Sequence, residues 1–277
     1  MTLLQAVVLG AVQGITEFLP VSSTAHLILV PRVFGWRLDA GDPSVLAFNV
    51  LVQLGTLAAV VAYFRRDLAS IARAALRGLR DGRPLGTPEA RLGWWILLAT
   101  VPAAALAIAF QGFFEAIESR PPMVAWILLG ATVLLFAGER VGRRERALGT
   151  LTVSDALFVG AAQALALFPG VSRSAATIVG GLLRGFDRPA AARFSFLLSI
   201  PLLAAAGAVK AVDLARSEDA RSHVPALAAG FVTAAVVGYA SIHWLLGYLA
   251  RRPLTAFAWY RIVVGTVLMA MALAHRL

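Results

Sequence analysis

The 277-residue chain has no cysteine and one lysine, and Asp, Glu, Lys and Arg together make up 14% of it. Without cysteine there is no disulfide and no thiolate-held metal, and the redox compartment leaves no mark on the sequence. A soluble domain of this length carries roughly 25% charged residues. A soluble enzyme, a disordered chain and a secreted disulfide scaffold are therefore excluded. No basic region precedes the first apolar segment, so that segment is expected to stay in the mature protein.

What is present is 59% hydrophobic residues, arranged in blocks near the length that crosses a bilayer as a helix. Six crossings are expected, at about 45–64, 92–111, 122–139, 192–212, 224–249 and 254–275. Two further apolar regions, 3–36 and 153–187, are broken by Pro20 with Ser22-Ser23-Thr24 and by Pro169-Gly170 with Ser172-Arg173-Ser174. Each arm is too short to span, and Pro with Gly at the centre opposes a continuous helix. Both regions are expected to be re-entrant hairpins, because irregular backbone at membrane depth survives only inside protein or beside a wet cavity.

The formal charge of +10 comes almost wholly from arginine, Lys210 being the single lysine. These arginines lie between apolar blocks, which points to membrane topology and away from nucleic acid. Stretches 65–91, 140–146 and 251–252 are rich in Arg, while 112–121 and 213–223 are poor in it and carry acids. Arg-rich loops stay in the cytoplasm. Both termini are then expected outside, with the first hairpin entering from the outer face and the second from the inner. Lys210 is expected to snorkel to the outer interface, and His223, His243 and His275 are expected to be structural. The tryptophans are read as interface anchors or packing residues. Segment 65–91 is read as amphipathic and able to meet anionic lipid.

An internal repeat matches that asymmetry. Shifted by 150 residues, Gly10, Ala11, Gln13, Phe18, Val21, Ser22, Ala25 and Ile28 fall on identical residues, eight of the 23 positions from 8 to 30. The expected fold is an all-α polytopic membrane protein, with six transmembrane helices plus two re-entrant hairpins in an inverted-topology repeat. Repeat 1 covers about 1–145 and repeat 2 about 150–277 of a single membrane domain.

Two charges stand out. Glu17 is the only acid between Met1 and Asp39, and Arg173 the only charge between Ala156 and Leu183. A charge inside an apolar segment costs roughly 2.5–3.5 kcal/mol on insertion scales and marks function. Gln13 shares a helical face with Glu17, and the returning arm brings His26 towards it. Guanidinium binds phosphate through two parallel bonds. Ser172, Ser174 and Thr177 add hydroxyls, and helices starting after Pro20 and Gly170 offer free N–H groups to an anion. The plainer alternatives are a Glu17–His26 pair, an arginine that only glues, and hydroxyls that only cap. The set suits a phosphorylated head on an apolar tail.

Gln13-Gly-Ile-Thr-Glu17-Phe-Leu-Pro-Val-Ser-Ser-Thr-Ala-His26 and Pro169-Gly-Val-Ser-Arg-Ser-Ala-Ala-Thr177 closely resemble the two signature motifs of the undecaprenyl-diphosphatase family, also called the bacitracin-resistance family. The likeness runs along nearly the whole chain. It implies an inner-membrane hydrolase working on the periplasmic side, with undecaprenyl diphosphate as its lipid partner and a divalent cation, Mg2+ or Ca2+, as cofactor. Carried over by position, Glu17, Ser23, His26 and Arg173 are catalytic. Gln13, Ser22, Thr24, Ser172, Ser174 and Thr177 bind substrate, and Glu17 with Gln13 would hold the metal. Ser23 and His26 are both open as nucleophile. A lipid transporter using the same repeat is the alternative reading, and a homodimer is left open.

Overall fold

The computed structural model describes residues 1–38, 42–216 and 224–274, with backbone alone at Pro43 and 209–216. His223, His275 and the side chain of Lys210 lie outside the described residues. In chain order the helices are α1 (Leu3–Thr16), α2 (Ser23–Val33), α3 (Pro43–Tyr63), α4 (Arg65–Arg80), α5 (Pro88–Ala109), α6 (Gln111–Glu118) and α7 (Pro121–Val141). A one-turn 3₁₀ segment at Leu148–Thr150 precedes α8 (Val153–Leu165), α9 (Arg173–Leu183), α10 (Arg188–Arg216), α11 (Val224–Leu249) and α12 (Thr255–Leu273). Among the described residues the only β pairing is one isolated bridge, Arg146 with Phe186.

Six helices are long and apolar enough to cross a membrane: Ser44–Tyr63, Pro88–Ala109, Pro121–Val141, Arg188–Ala208, Val224–Leu249 and Thr255–Leu273. Each coincides with an expected crossing to within a few residues at either end. Ile108, Val101, Val133, Trp126, Val236 and Trp259 are all more than half exposed on their outer faces. So large an exposed apolar surface fits contact with lipid chains rather than water. The chain is a multi-pass membrane protein.

Sequence sets the helix starts. Proline stands at the first helical position of α3, α5 and α7, where its missing N–H is no loss. Thr2 and Thr152 build capping boxes with Gln5 and Asp155, positions related by the 150-residue shift. The helix arms of 14, 11, 13 and 11 residues in α1, α2, α8 and α9 reach no further than about 21 Å, short of a hydrocarbon core of about 30 Å.

Packing repeats the same register. α1 lies along α11, which also packs on α3, and α8 lies along α5. Small residues make this approach feasible: a Cβ at Gly10 would sit 2.6 Å from the Gly230 carbonyl oxygen, and one at Gly160 2.5 Å from that of Ala99. Backbones brought this close gain dispersion contacts, the force that holds helices together in lipid. α7 packs on α12, and α9 is enclosed by α7, α8 and α10. In this way the two hairpin turns, 17–22 and 166–172, are brought together inside the bundle.

Segment 65–91 does form an exposed helix, α4, with no buried residue. The expected loop at 112–121 contains a further helix, α6.

Candidate active site between the hairpin turns

Both turns are built alike. Ser22 and Ser172 each have φ 73°, rare for residues other than glycine, and each caps the following helix by accepting from the N–H of Ala25 or Ala175. Backbone held in such a region costs about 1–3 kcal/mol and persists only where its surroundings over-determine it. The return on that strain is aim: the next residue, Ser23 or Arg173, opens the returning helix and faces a shared cavity.

Six predicted residues line it: Glu17, Ser22, Ser23, Thr24, Ser172 and Arg173. Arg173 Nη2 donates to Glu17 Oε1 at 2.9 Å. Glu17 Oε2 accepts from Ser23 Oγ at 2.9 Å and from Gln13 Nε2 at 3.1 Å. The cavity holds about 160 Å³ and is also lined by Thr16 and Gln53. At about 30 Å³ per water that is room for a few waters or a phosphate-sized head, well below the 300 Å³ or more of a site for a whole organic ligand. The Glu17 and Arg173 side chains are 10% and 11% exposed, so each is desolvated and depends on the other.

Four predicted residues do not line the cavity: Gln13, which is bonded to Glu17, and three others. His26 does not line the cavity: its Nδ1 lies 2.7 Å from the Ser22 carbonyl oxygen and its Nε2 2.8 Å from the Tyr260 hydroxyl, with the rings stacked. Ser174 is fully buried and donates to the Leu19 carbonyl at 2.9 Å, tying one turn to the other. Thr177 donates to the Arg173 carbonyl at 2.7 Å and meets Ser195 Oγ at 2.6 Å.

Sequence reasoning missed Arg261. This fully buried residue of α12 donates to the carbonyls of Val171 (2.9 Å), Gly170 (3.0 Å), Leu128 (3.1 Å) and Pro20 (3.5 Å) and to Thr132 Oγ1 (3.1 Å). It therefore pins both hairpin turns. The signal was there: Arg261 is the only charge between Arg252 and His275, and the intramembrane-charge rule that singled out Arg173 applies equally. Also unforeseen is α6, whose Phe114 packs edge-on against Phe168 of the cavity wall at 5.3 Å.

The second hairpin is fastened at its base. Fully buried Asp155 accepts from Arg146 at 2.6 and 3.1 Å and from Arg184 at 2.6 Å, and also from Thr152. Burial alone would raise its carboxyl, but these donors hold it well below the usual carboxylate range. Bonds to Asp155 raise the Arg146 guanidinium in turn.

Among the described residues no group of three or more His, Asp or Glu is placed to hold a metal. A hard cation needs fewer protein ligands where substrate phosphates supply the remaining oxygens. The Glu17 carboxylate and Gln13 Oε1, which is buried without a partner, fit that sparse oxygen donor set.

A family model described as Bacitracin resistance protein BacA matches residues 6–267. Proteins named Undecaprenyl-diphosphatase are similar along nearly their whole length. The one from Chlorobaculum tepidum is 43% identical, covering 98% of this chain and 97% of its own. The one from Anaeromyxobacter dehalogenans strain 2CP-C is 46% identical, covering 99% and 93%. The one from Rubrobacter xylanophilus is 45% identical, covering 98% of each.

Proposed function

The chain belongs to the bacitracin resistance protein BacA family, and from that premise we propose that it is an undecaprenyl-diphosphate phosphatase of the inner membrane. It hydrolyses undecaprenyl diphosphate to undecaprenyl phosphate and inorganic phosphate, returning carrier lipid to peptidoglycan synthesis and conferring bacitracin resistance. The observation that carries this reading is the convergence of Arg173, Glu17 and Ser23 on one head-sized cavity inside the apolar bundle.

Arg173 takes the terminal phosphate through its guanidinium and stabilises charge as it builds during transfer. Ser22, Thr24 and Ser172 turn their hydroxyls to the phosphate oxygens. Ser23 Oγ, already donating to Glu17, gives its proton to that carboxylate and attacks the terminal phosphorus. The bridging oxygen leaves with the lipid phosphate and takes that proton from Glu17, which restores the carboxylate. Water, activated by Glu17, then cleaves the phosphoserine, so one water is consumed per turnover. His26, engaged by Ser22 and Tyr260, acts by holding the turn that presents Ser23. Mg2+ or Ca2+ held by Glu17 and Gln13 supplies charge neutralisation on the diphosphate when bound.

We place the opening on the periplasmic side. In support, Phe168 of the cavity wall rests on α6, and α6 belongs to the Arg-poor connection. The base of the second hairpin, in contrast, is bonded to Arg146 of an Arg-rich one. The repeats 1–145 and 150–277, inverted with re-entrant hairpins, are the architecture that best accounts for the paired turns.

Phosphate release by the purified protein, with and without chelator, tests the reading. Arg173→Ala is expected to lower release by about 10²–10³-fold while the protein stays folded, and undiminished turnover would remove the clamp. The matched geometry of the two turns favours a second reading, movement of the lipid across the bilayer. That reading predicts lipid transfer in vesicles without phosphate release.

A further inference from the structure

α4 carries more arginines than any other described helix. It carries five arginines and one acid, Asp67, and Asp67 is bound to Arg193 at 2.7 Å. None of the five arginines pairs with a carboxylate among the described residues. By contrast Arg144, Arg146, Arg184, Arg188 and Arg193 are each within 3.1 Å of one. The helix thus presents a block of unneutralised positive charge.

Its apolar side is only half used. Leu68 and Ile71 pack against the core of the bundle. Further along the same face Leu76 and Leu79 are 67% and 54% exposed. At helical spacing Arg73 and Arg80 fall on the flank next to Leu76, with Arg66 and Arg77 just beyond.

The connections fix its level. α3 ends at Tyr63 and α5 begins at Pro88, and both are of membrane length. α4 therefore starts and finishes at the edge of the bilayer. Trp94 of α5, donating to the Pro84 carbonyl at 3.0 Å, is an indole of the kind that settles at that depth. A helix tied at this level either lies along the membrane or projects into water, and two leucines exposed on one face decide for the membrane.

We propose that α4 lies in the membrane–water boundary, with Leu76 and Leu79 among the acyl chains and Arg66, Arg73, Arg77 and Arg80 bound to the head groups of anionic phospholipids. The surface is separate from the cavity between the hairpins and does not depend on what that cavity catalyses. Its arginines select a lipid by charge and its leucines hold the helix down.

Because the chain has no cysteine, Leu79→Cys introduces a single thiol whose modification by a water-soluble maleimide can be followed in the full-length protein. The protein is placed in lipid nanodiscs of phosphatidylcholine alone or with added phosphatidylglycerol. Each arginine near an anionic surface strengthens association by a factor of roughly five, so phosphatidylglycerol is expected to slow modification by about tenfold or more. High salt should reverse the slowing, as should R73Q/R77Q/R80Q made together. The salt titration needs no substitution of arginine, so misfolding of the triple variant cannot decide the matter. Equal rates in the two lipids would overturn the proposal. Fast in both means that the face meets water; slow in both means that it is covered without regard to lipid charge.

Discussion

The two hairpins share a skeleton and differ in cargo. Thr2 and Thr152 cap the first arms, Gln13 and Gln163 are buried at the same turn, and Ser22 and Ser172 hold the same φ of 73°. Yet Glu17 corresponds to Leu167, Ser23 to Arg173 and His26 to Ala176. The first hairpin brings a carboxylate and a hydroxyl, the second a guanidinium. They differ also in how they are held. α9 is buried from Ser174 to Leu182, whereas α2 buries only Ala25, His26, Leu29 and Pro31. A duplicated scaffold thus sets where side chains are delivered, and single substitutions decide what is delivered. The better-anchored copy carries the cation that, in the proposed reaction, meets the substrate's charge.

Breaking the division of labour should have the largest effect. Glu17→Gln and Arg173→Gln are each expected to lower phosphate release by at least about 10²-fold, and the double variant by little more than either, because residues acting as a unit are not additive. Stability should order differently. Losing one member of a buried pair strands the other at a cost of about 3–5 kcal/mol, whereas removing both can be nearly neutral. A double variant that melts at the sum of the two single losses would show that the pair is not coupled.

Next comes the device that joins the copies. Arg261 contributes bonds to Pro20 in one turn and to Gly170 and Val171 in the other. Arg261→Lys keeps the charge but not the planar fork of donors. It leaves several buried carbonyls unpartnered, at about 1–3 kcal/mol each. Thermal unfolding in detergent should shift down by an amount matching on the order of 3 kcal/mol, with turnover falling because both turns loosen together. A loss confined to turnover, with unfolding unchanged, would mean that Arg261 serves the chemistry rather than the scaffold.

The crossings were legible because twenty apolar residues in a row have few other fates. The meeting of Glu17 with Arg173 was legible because an isolated charge in an apolar segment must find a partner, and the repeat supplied the geometry. Arg261 was hidden by averaging, since one arginine barely lowers the hydropathy of a nineteen-residue helix. The place of His26 depends on Tyr260, which lies 234 residues away in the chain, and no local pattern reaches that far. Nor does spacing distinguish a hydroxyl that faces a cavity, as Ser23 does, from one spent on backbone, as in Thr177. α6 was missed because eight residues are too few for a clear period.

The smallest expected effect separates the two hairpins by pH. Asp155 closes the capping box of the second, while the first uses neutral Gln5. With its carboxyl held below the usual range by Arg146, Thr152 and Arg184, Asp155 contributes stability that is complete above the ordinary aspartate pKa of about 4 and fades as pH falls below it. Asp155→Asn should therefore cost on the order of 2–3 kcal/mol at neutral pH, somewhat less than a wholly buried pair because both arginines are partly exposed. The gap between parent and variant should narrow as pH is lowered through 4 towards 3. Amide exchange should show the same asymmetry, with acid loosening residues 184–187, which are bonded to Glu145 and Arg146, and sparing the start of α1. A gap unchanged between pH 7 and pH 3 would mean that the second hairpin is held by its packing and its backbone bonds, and that Asp155 is no more than the counterpart of Gln5.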